Sequence, residues 1–352
     1  MKVILYSKTF WPKMGGLERN TYTIYHTIKS LGCHATIVTE TKSEQLDELN
    51  ILRTNKSKNL VRLLMKNDFL IVNGGIALRI ILLAYLLGKK YVIIYANATL
   101  YNQNSNKTFK AKIENRIRQF FAEKALLNIC LTHISLSQLR VKNNRKRVLY
   151  NPIDTELENI NNYKVNGPYK KTIDCLFVGR IIEGKGIFLL IDALENLALK
   201  GIRYNCTFAG EGKDDVKFKE YCKLKNVETN FVGKIDGLEL IKLYHQSKVL
   251  VLPSTTHIEG NPLVIAEAIS CGTPVICSNQ EAMKEVIGNC GLTFDTGIAD
   301  ALAQEIKKLL TDPLVYKNLK DNTLRRSEIF SMKNYITSWE QILKLIKPYF
   351  EN

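Results

Sequence analysis

The feature that most restricts the fold of this chain is a set of short apolar runs that do not alternate with polar residues. VILY (3–6), ATIVT (35–39), FLIVN (69–73) and YVIIYA (91–96) are apolar at successive positions. Successive side chains of a strand point to opposite faces of its sheet, so such strands need cover on both sides. The pattern over 16–31 reads as an amphipathic helix able to supply it. Continuous apolar strands separated by helices predict a parallel α/β sheet.

The alternation breaks once and then restarts. After NPIDTE (151–156) comes ENINNYKVNGPYKKT (158–172), a polar stretch with the punctuation of a linker. Strands follow at DCLFVG (174–179), NCTFAG (205–210), NFVG (230–233), VLVLPS (249–254) and PVICS (274–278). Helices are expected between them at 187–199, 215–225, 238–246 and 262–270, with another near 300–310. The expected architecture is two Rossmann-like, doubly wound parallel-sheet domains, 1–165 and 166–330, facing a central cleft. Ligands of such sheets bind at the carboxyl ends of the strands. SMKNYITSWEQILKLIKPYF (331–350) is amphipathic, with Ser331 placed as an N-cap, and is expected to pack back on the first domain.

A length of 352 residues suits two domains, and 45% hydrophobic with 24% charged residues suits a water-soluble protein. The apolar run 80–87 ends at Gly88-Lys89-Lys90, far short of the ~20 residues that span a bilayer. The amino-terminal apolar run is too short for a secretory signal, so the chain is expected in the cytoplasm. The eight cysteines show no C-x-x-C and read as reduced core thiols.

The net charge of +16 is unevenly placed. Residues 1–150 hold 25 Lys/Arg against 8 Asp/Glu, a difference of +17; the remainder is close to neutral. The excess concentrates in KSKNLVRLLMK (56–66), KTFKAKIENRIRQFFAEK (107–124) and RVKNNRKR (140–147). In the second of these, Ile113, Ile117, Phe120 and Phe121 fall at helical spacing between basic residues. Phe109, Phe120 and Phe121 read as core residues on that spacing. Three readings stay open for the basic face: a solvated surface, an anionic lipid surface, or a nucleic acid, the last ranked lowest.

The chemistry-bearing stretch is EGNPLVIAE (259–267). Asn261 suits an N-cap and Pro262 the first helical turn, which predicts a helix over 262–270 with Glu259 just ahead of it and Glu267 within it. The helix amino terminus between the two carboxylates, approached through Gly260, is a seat for phosphate. Carboxylate, phosphate seat, carboxylate is the arrangement a nucleotide sugar needs, with one acid for sugar hydroxyls and one for ribose. In LFVGRIIEGKG (176–186), Arg180 stands at a strand's carboxyl end and Lys185 just before a helix. Both can neutralise a leaving diphosphate.

These motifs, in order with PKMGGLERN, NPID and EVIGNCGLTF, make the chain resemble the family 4 retaining glycosyltransferases of the GT-B fold. The resemblance implies a UDP- or GDP-linked sugar as donor, no permanently bound cofactor and no required metal. It maps the acid beside the donor sugar onto Glu259 and the ribose acid onto Glu267. Arg180 and Lys185 match the diphosphate-binding pair, and Gly15-Gly16 the glycine loop over the donor phosphates. Gly260, Asn261, Pro262 and Leu263 complete the donor seat, and Lys234, after NFVG, falls at the nucleobase turn. Glu18 and Asn97 map to the acceptor side, where Asn97 stands in place of a histidine common in the family; Glu281-Ala282 likewise replaces a Gly-Gly pair. The implied partners are the donor and a glycan or lipid-linked acceptor. The rival reading is a basic membrane-surface or nucleic-acid-binding protein with a vestigial donor site. His257 stands two residues before Glu259 and is the one histidine near these motifs.

Overall fold

The computed structural model describes residues 1–12, 15–43, 49–96, 108–153 and 169–349. Two compact units divide the chain: Met1–Asn151 with Tyr335–Asn352, and Pro152–Asn334. The expected boundary at residue 165 falls in 154–168, outside the described residues.

In the first unit the strands are β1 (Lys2–Ser7), β2 (His34–Thr39), β3 (Ile51–Arg53), β4 (Phe69–Asn73), β5 (Lys90–Tyr95), β6 (Leu127–Cys130) and β7 (Lys146–Val148). The helices are α1 (Gly16–Ser30), α2 (Ser57–Lys66), α3 (Leu78–Leu86), α4 (Phe109–Lys124) and α5 (His133–Ser137). All neighbours pair in parallel, in the order β3-β2-β1-β4-β5-β6-β7. Ile4, Tyr6, Leu70, Val72, Ile93 and Tyr95 form one core layer under Ile80, Ile81 and Ala84 of α3 and Phe121 of α4.

The second unit repeats the plan with β8 (Ile173–Val178), β9 (Cys206–Ala209), β10 (Thr229–Gly233), β11 (Ser247–Leu252), β12 (Val275–Ser278) and β13 (Gly291–Phe294). Its helices are α6 (Ile187–Ala198), α7 (Asp215–Leu224), α8 (Gly237–Gln246), α9 (Leu263–Ser270), α10 (Glu281–Ile287), α11 (Ala299–Thr311) and α12 (Pro313–Ser327). The parallel order is β10-β9-β8-β11-β12-β13. Phe208 packs edge-on against Phe218 at 4.9 Å and stacks near Phe231 at 5.5 Å, filling the space under one edge of the sheet. The last helix, α13 (Met332–Ile346), follows Ser331, whose Oγ accepts from the Asn334 N–H at 3.2 Å.

In both sheets the strand order reverses beside the first strand, between β1 and β4 and between β8 and β11. Loops leaving such a pair diverge to opposite faces of the sheet and open a crevice at the carboxyl ends.

Three expectations need correction. The helix of EGNPLVIAE starts at Leu263, not Pro262, and Asn261 does not cap it. Pro262 sits at extended φ −70°, ψ 105°, and its own carbonyl accepts from the Ile265 N–H at 3.0 Å. Phe109 and Phe120 are not core residues. Phe121, Ala111 and Ala122 face the sheet, and the stripe Phe109, Ile113, Ile117, Phe120 is exposed. The short strands β3, β6, β7 and β13 were unforeseen: ILR and KRV are half polar and only partly buried, and LNIC and GLTF are only four residues long.

All eight cysteines are buried with no disulfide among them, and burial pushes thiols such as Cys130 and Cys277 up to about 12. No helix among the described residues is long and apolar enough to cross a membrane.

Candidate active site

The second unit places its chemical groups at the crevice between β8 and β11. β8 ends at Val178, and Gly179-Arg180 leads into a single turn at Glu183–Lys185. β11 ends at Leu252 and leads through Pro253 and Ser254 to Glu259. Two backbone bonds join these loops: the Gly184 carbonyl accepts from Thr255 N–H at 2.9 Å and from His257 N–H at 3.1 Å. Gly186 completes the seam. It has φ +74°, and a Cβ there would lie 1.9 Å from the Pro253 carbonyl oxygen. Only glycine accommodates both the left-handed backbone and that approach.

The seam brings together two residues 74 apart in sequence. Lys185 Nζ donates to Glu259 Oε1 at 2.5 Å, with the side chains 13% and 7% exposed. Ser254 Oγ donates to the same oxygen at 2.8 Å. The Glu259 N–H donates to Gln280 Oε1 at 3.0 Å, and Gln280 Nε2 donates back to the carbonyls of Ser254 at 3.1 Å and His257 at 3.0 Å. Gln280, just beyond β12, therefore holds both ends of the loop that carries Glu259. A carboxylate this deep needs such partners, since burying it unpaired would be costly. Burial first, then the charge of Lys185, hold His257 below the ordinary imidazole range against the opposing pull of Glu259, with Arg180 adding to the depression. His257 is thus neutral at neutral pH and adds no charge beside the ion pair.

Glu267 occupies the buried face of α9 and accepts from Tyr244 OH of α8 at 2.8 Å. Tyr244 is wholly buried, and its carbonyl accepts from Thr273 Oγ1 at 2.7 Å. Ahead of α9, the Asn261 Nδ2 is buried without a hydrogen-bond acceptor, an orphan donor beside the free N–H groups of the helix. Gly260 and Leu263 are partly buried, Pro262 buried, and Arg180 and Lys234 exposed, with Lys234 one residue beyond the left-handed Gly233.

The remaining expected residues lie in the first unit. Gly15 and Gly16 open α1, and buried Glu18 turns its carboxylate back toward the loop: a Cβ on Gly15 would stand 2.9 Å from Glu18 Oε2. Under this turn, Asn73 of β4 donates to Thr21 Oγ1 at 2.9 Å, and Asn20 donates to Asn151 Oδ1. Asn97 lies outside the described residues. Sequence reasoning missed Ser254, Gln280 and Tyr244, and the three asparagines of the first unit. Ser254 ends the VLVLPS run, but nothing local marks the others.

Among the described residues no group of three or more His, Cys, Asp or Glu is placed to hold a metal ion.

Comparison with known proteins gives a consistent picture. Residues 159–326 match the model of the family described as Glycosyl transferases group 1. The chain is 27% identical over 178 residues to an uncharacterized glycosyltransferase of Haemophilus influenzae, covering 49% of each protein. It is 30% identical over 175 residues to O-antigen chain mannosyltransferase B of Escherichia coli, covering 49% of this chain and 45% of that one. The chain thus spans about half the length of these curated relatives. Among solved structures, Anabaena Alr3699/HepE in complex with UDP superposes with a TM-score of 0.78 at 17% identity, over 98% of this chain and 100% of the other. That likeness establishes the fold, two parallel-sheet Rossmann-like domains of the kind found in GT-B glycosyltransferases.

Proposed function

We propose that this chain is a retaining glycosyltransferase of the family 4 type. It transfers a hexosyl group from a UDP- or GDP-linked sugar to a hydroxyl of a glycan or lipid-linked acceptor. The observation that carries the reading is the buried Lys185–Glu259 pair at the point where the strand order reverses, with Glu267 on the helix that follows. The group 1 match supports the reaction class, and the named E. coli relative supports a glycan acceptor.

In this reading the diphosphate meets Arg180, Lys185 and the amino terminus of α9, where Asn261 Nδ2 and the free N–H groups supply further donors. The bond from the anomeric carbon to the phosphate oxygen breaks, and its electron pair stays on that oxygen. The cations stabilise this developing charge more than the bound donor, which is how they lower the barrier. The acceptor hydroxyl forms the new bond from the same face and passes its proton to the departing phosphate oxygen. Glu259 Oε1 is occupied by Lys185 and Ser254. We assign Oε2 to the sugar hydroxyls, so Glu259 orients the sugar and is not a covalent nucleophile. Glu267 takes the ribose hydroxyls, its second partner Tyr244 fixing the carboxylate. Gly15, Gly16 and Glu18 are assigned to the donor-phosphate loop and acceptor side of the first unit, and Lys234 to the nucleobase. No metal is assigned a role. The buried cysteines, with no disulfide among them, agree with a reducing compartment, and we place the reaction in the cytoplasm.

Stereochemistry tests this reading without knowledge of the acceptor. With water as acceptor, slow donor hydrolysis releases the sugar, and proton NMR before mutarotation reads its first anomer. The expected anomer has the donor's configuration. Release of the opposite anomer would exclude a retaining reaction.

A further inference from the structure

Among the described residues, the first unit carries an exposed apolar face on two of its helices. On α4, Phe109, Ile113, Ile117 and Phe120 recur at i, i+4, i+8 and i+11, one stripe of a helix. Phe109 is 79% exposed, and Ile113, Ile117 and Phe120 are 43%, 42% and 41% exposed. On α3, Leu82, Tyr85 and Leu86 are exposed at i, i+3 and i+4. The two stripes join, since Tyr85 meets Phe120 edge to face at 5.5 Å between ring centroids. Exposed apolar residues scattered singly need no explanation, but a contiguous patch across two helices marks a surface that something covers.

The charge around the patch indicates what covers it. By helical periodicity Lys112 and Arg116 flank the α4 stripe on one side, and Lys110 and Lys124 on the other; all four are exposed. Lys124 Nζ stands over the Phe120 ring, 5.6 Å from its centroid. A second copy of this chain would bring the same cations against these, at a net +17 over residues 1–150. A nucleic acid would welcome the cations but leave Leu82, Leu86, Ile113 and Ile117 without stacking partners. An anionic bilayer satisfies both halves: acyl chains receive the apolar stripe while headgroups meet the lysines and arginine.

We infer that the joined α3–α4 face is a membrane-docking surface for anionic lipid. The inference stands independently of the donor site, because none of its residues belongs to that site.

The test is co-sedimentation of the full chain with vesicles of phosphatidylcholine, alone or mixed with phosphatidylglycerol. The wild type should bind the mixed vesicles, weaken with added salt and leave phosphatidylcholine vesicles largely unbound. The triple variant Phe109→Ser, Ile113→Ser, Ile117→Ser should bind about tenfold more weakly or worse. These side chains are exposed, so circular dichroism should show the variant folded. The charge variant Lys112→Glu, Arg116→Glu should lose the preference for anionic vesicles by a different route. Undiminished binding by both variants would overturn the inference. So would wild-type binding to neither vesicle, a dimer dissolved by the triple variant, or capture of single-stranded nucleic acid in preference to vesicles. A nucleotide-induced thermal shift, which the triple variant should keep, separates failure here from failure of the donor reading.

Discussion

Lys185→Ala is expected to lower turnover roughly a hundredfold to a thousandfold while leaving much of the donor affinity in place. That is the usual scale for losing one group that stabilises charge only as it develops. The structure adds a second consequence. Lys185 is the cation beside a carboxylate only 7% exposed, so its removal leaves Glu259 with Ser254 as its remaining side-chain partner among the described residues. Breaking a buried pair from one side costs about 3–5 kcal/mol, because the remaining charge is left uncompensated. The double variant Lys185→Met, Glu259→Gln removes both charges and should recover most of that stability without recovering turnover. Steady-state kinetics and denaturant unfolding on the two variants measure this. If the double variant regains activity with stability, Lys185 serves only the fold. If Lys185→Ala raises KM with turnover unchanged, Lys185 holds the ground state and not the leaving group.

Gly186→Ala should be among the most damaging single methyl additions in the second unit. A Cβ there meets the Pro253 carbonyl oxygen at 1.9 Å, a backbone atom that cannot swing aside, and the residue must also hold φ +74°. Left-handed backbone costs about 1–2 kcal/mol without glycine, and overpacking adds about 1–3 kcal/mol. Relief requires the two loops to part, which breaks the Gly184 carbonyl bonds to Thr255 and His257 and withdraws Lys185 from Glu259. Stability and activity should therefore fall together. Gly201→Ala is the control: its φ of +79° is similar, but no atom lies within 4 Å of the added methyl. Equal melting temperatures for the two variants would show that the seam does not require the close approach.

The sheets were legible in the sequence because strands buried on both faces must be apolar throughout, as β1, β4, β5 and β11 are. Four strands were not: β3 and β7 have only three residues each and little burial to betray them, and β6 and β13 have only four each. Periodicity located α4 but not its orientation. A stripe of Phe and Ile reads as core, yet here Ala111, Phe121 and Ala122 are the residues that meet the sheet. In the candidate site, the carboxylates were visible because Glu267 lies among apolar neighbours where a charge is out of place. Their supports were not: Tyr244, Ser254 and Gln280 are ordinary residues whose roles come from strand pairing that sets distant loops side by side. The start of α9 shifted by one residue because proline can precede a first turn as well as open it.

The most direct test of the donor site is a thermal-shift panel of UDP, GDP, ADP and their common sugar conjugates on the wild type and Glu267→Ala, without added metal. A ligand that binds the native state raises its melting temperature in proportion to RT ln(1 + [L]/Kd). Removing the ribose carboxylate should weaken binding at least tenfold, about 1.4 kcal/mol. Tyr244→Phe, which keeps the carboxylate but removes the Tyr244 hydroxyl bond to it, should fall between the two. One nucleotide class stabilising the wild type and losing most of its effect on Glu267→Ala is the predicted result. An equal shift for both proteins would contradict the assignment of Glu267, and no shift by any nucleotide at millimolar concentration would contradict the donor site itself.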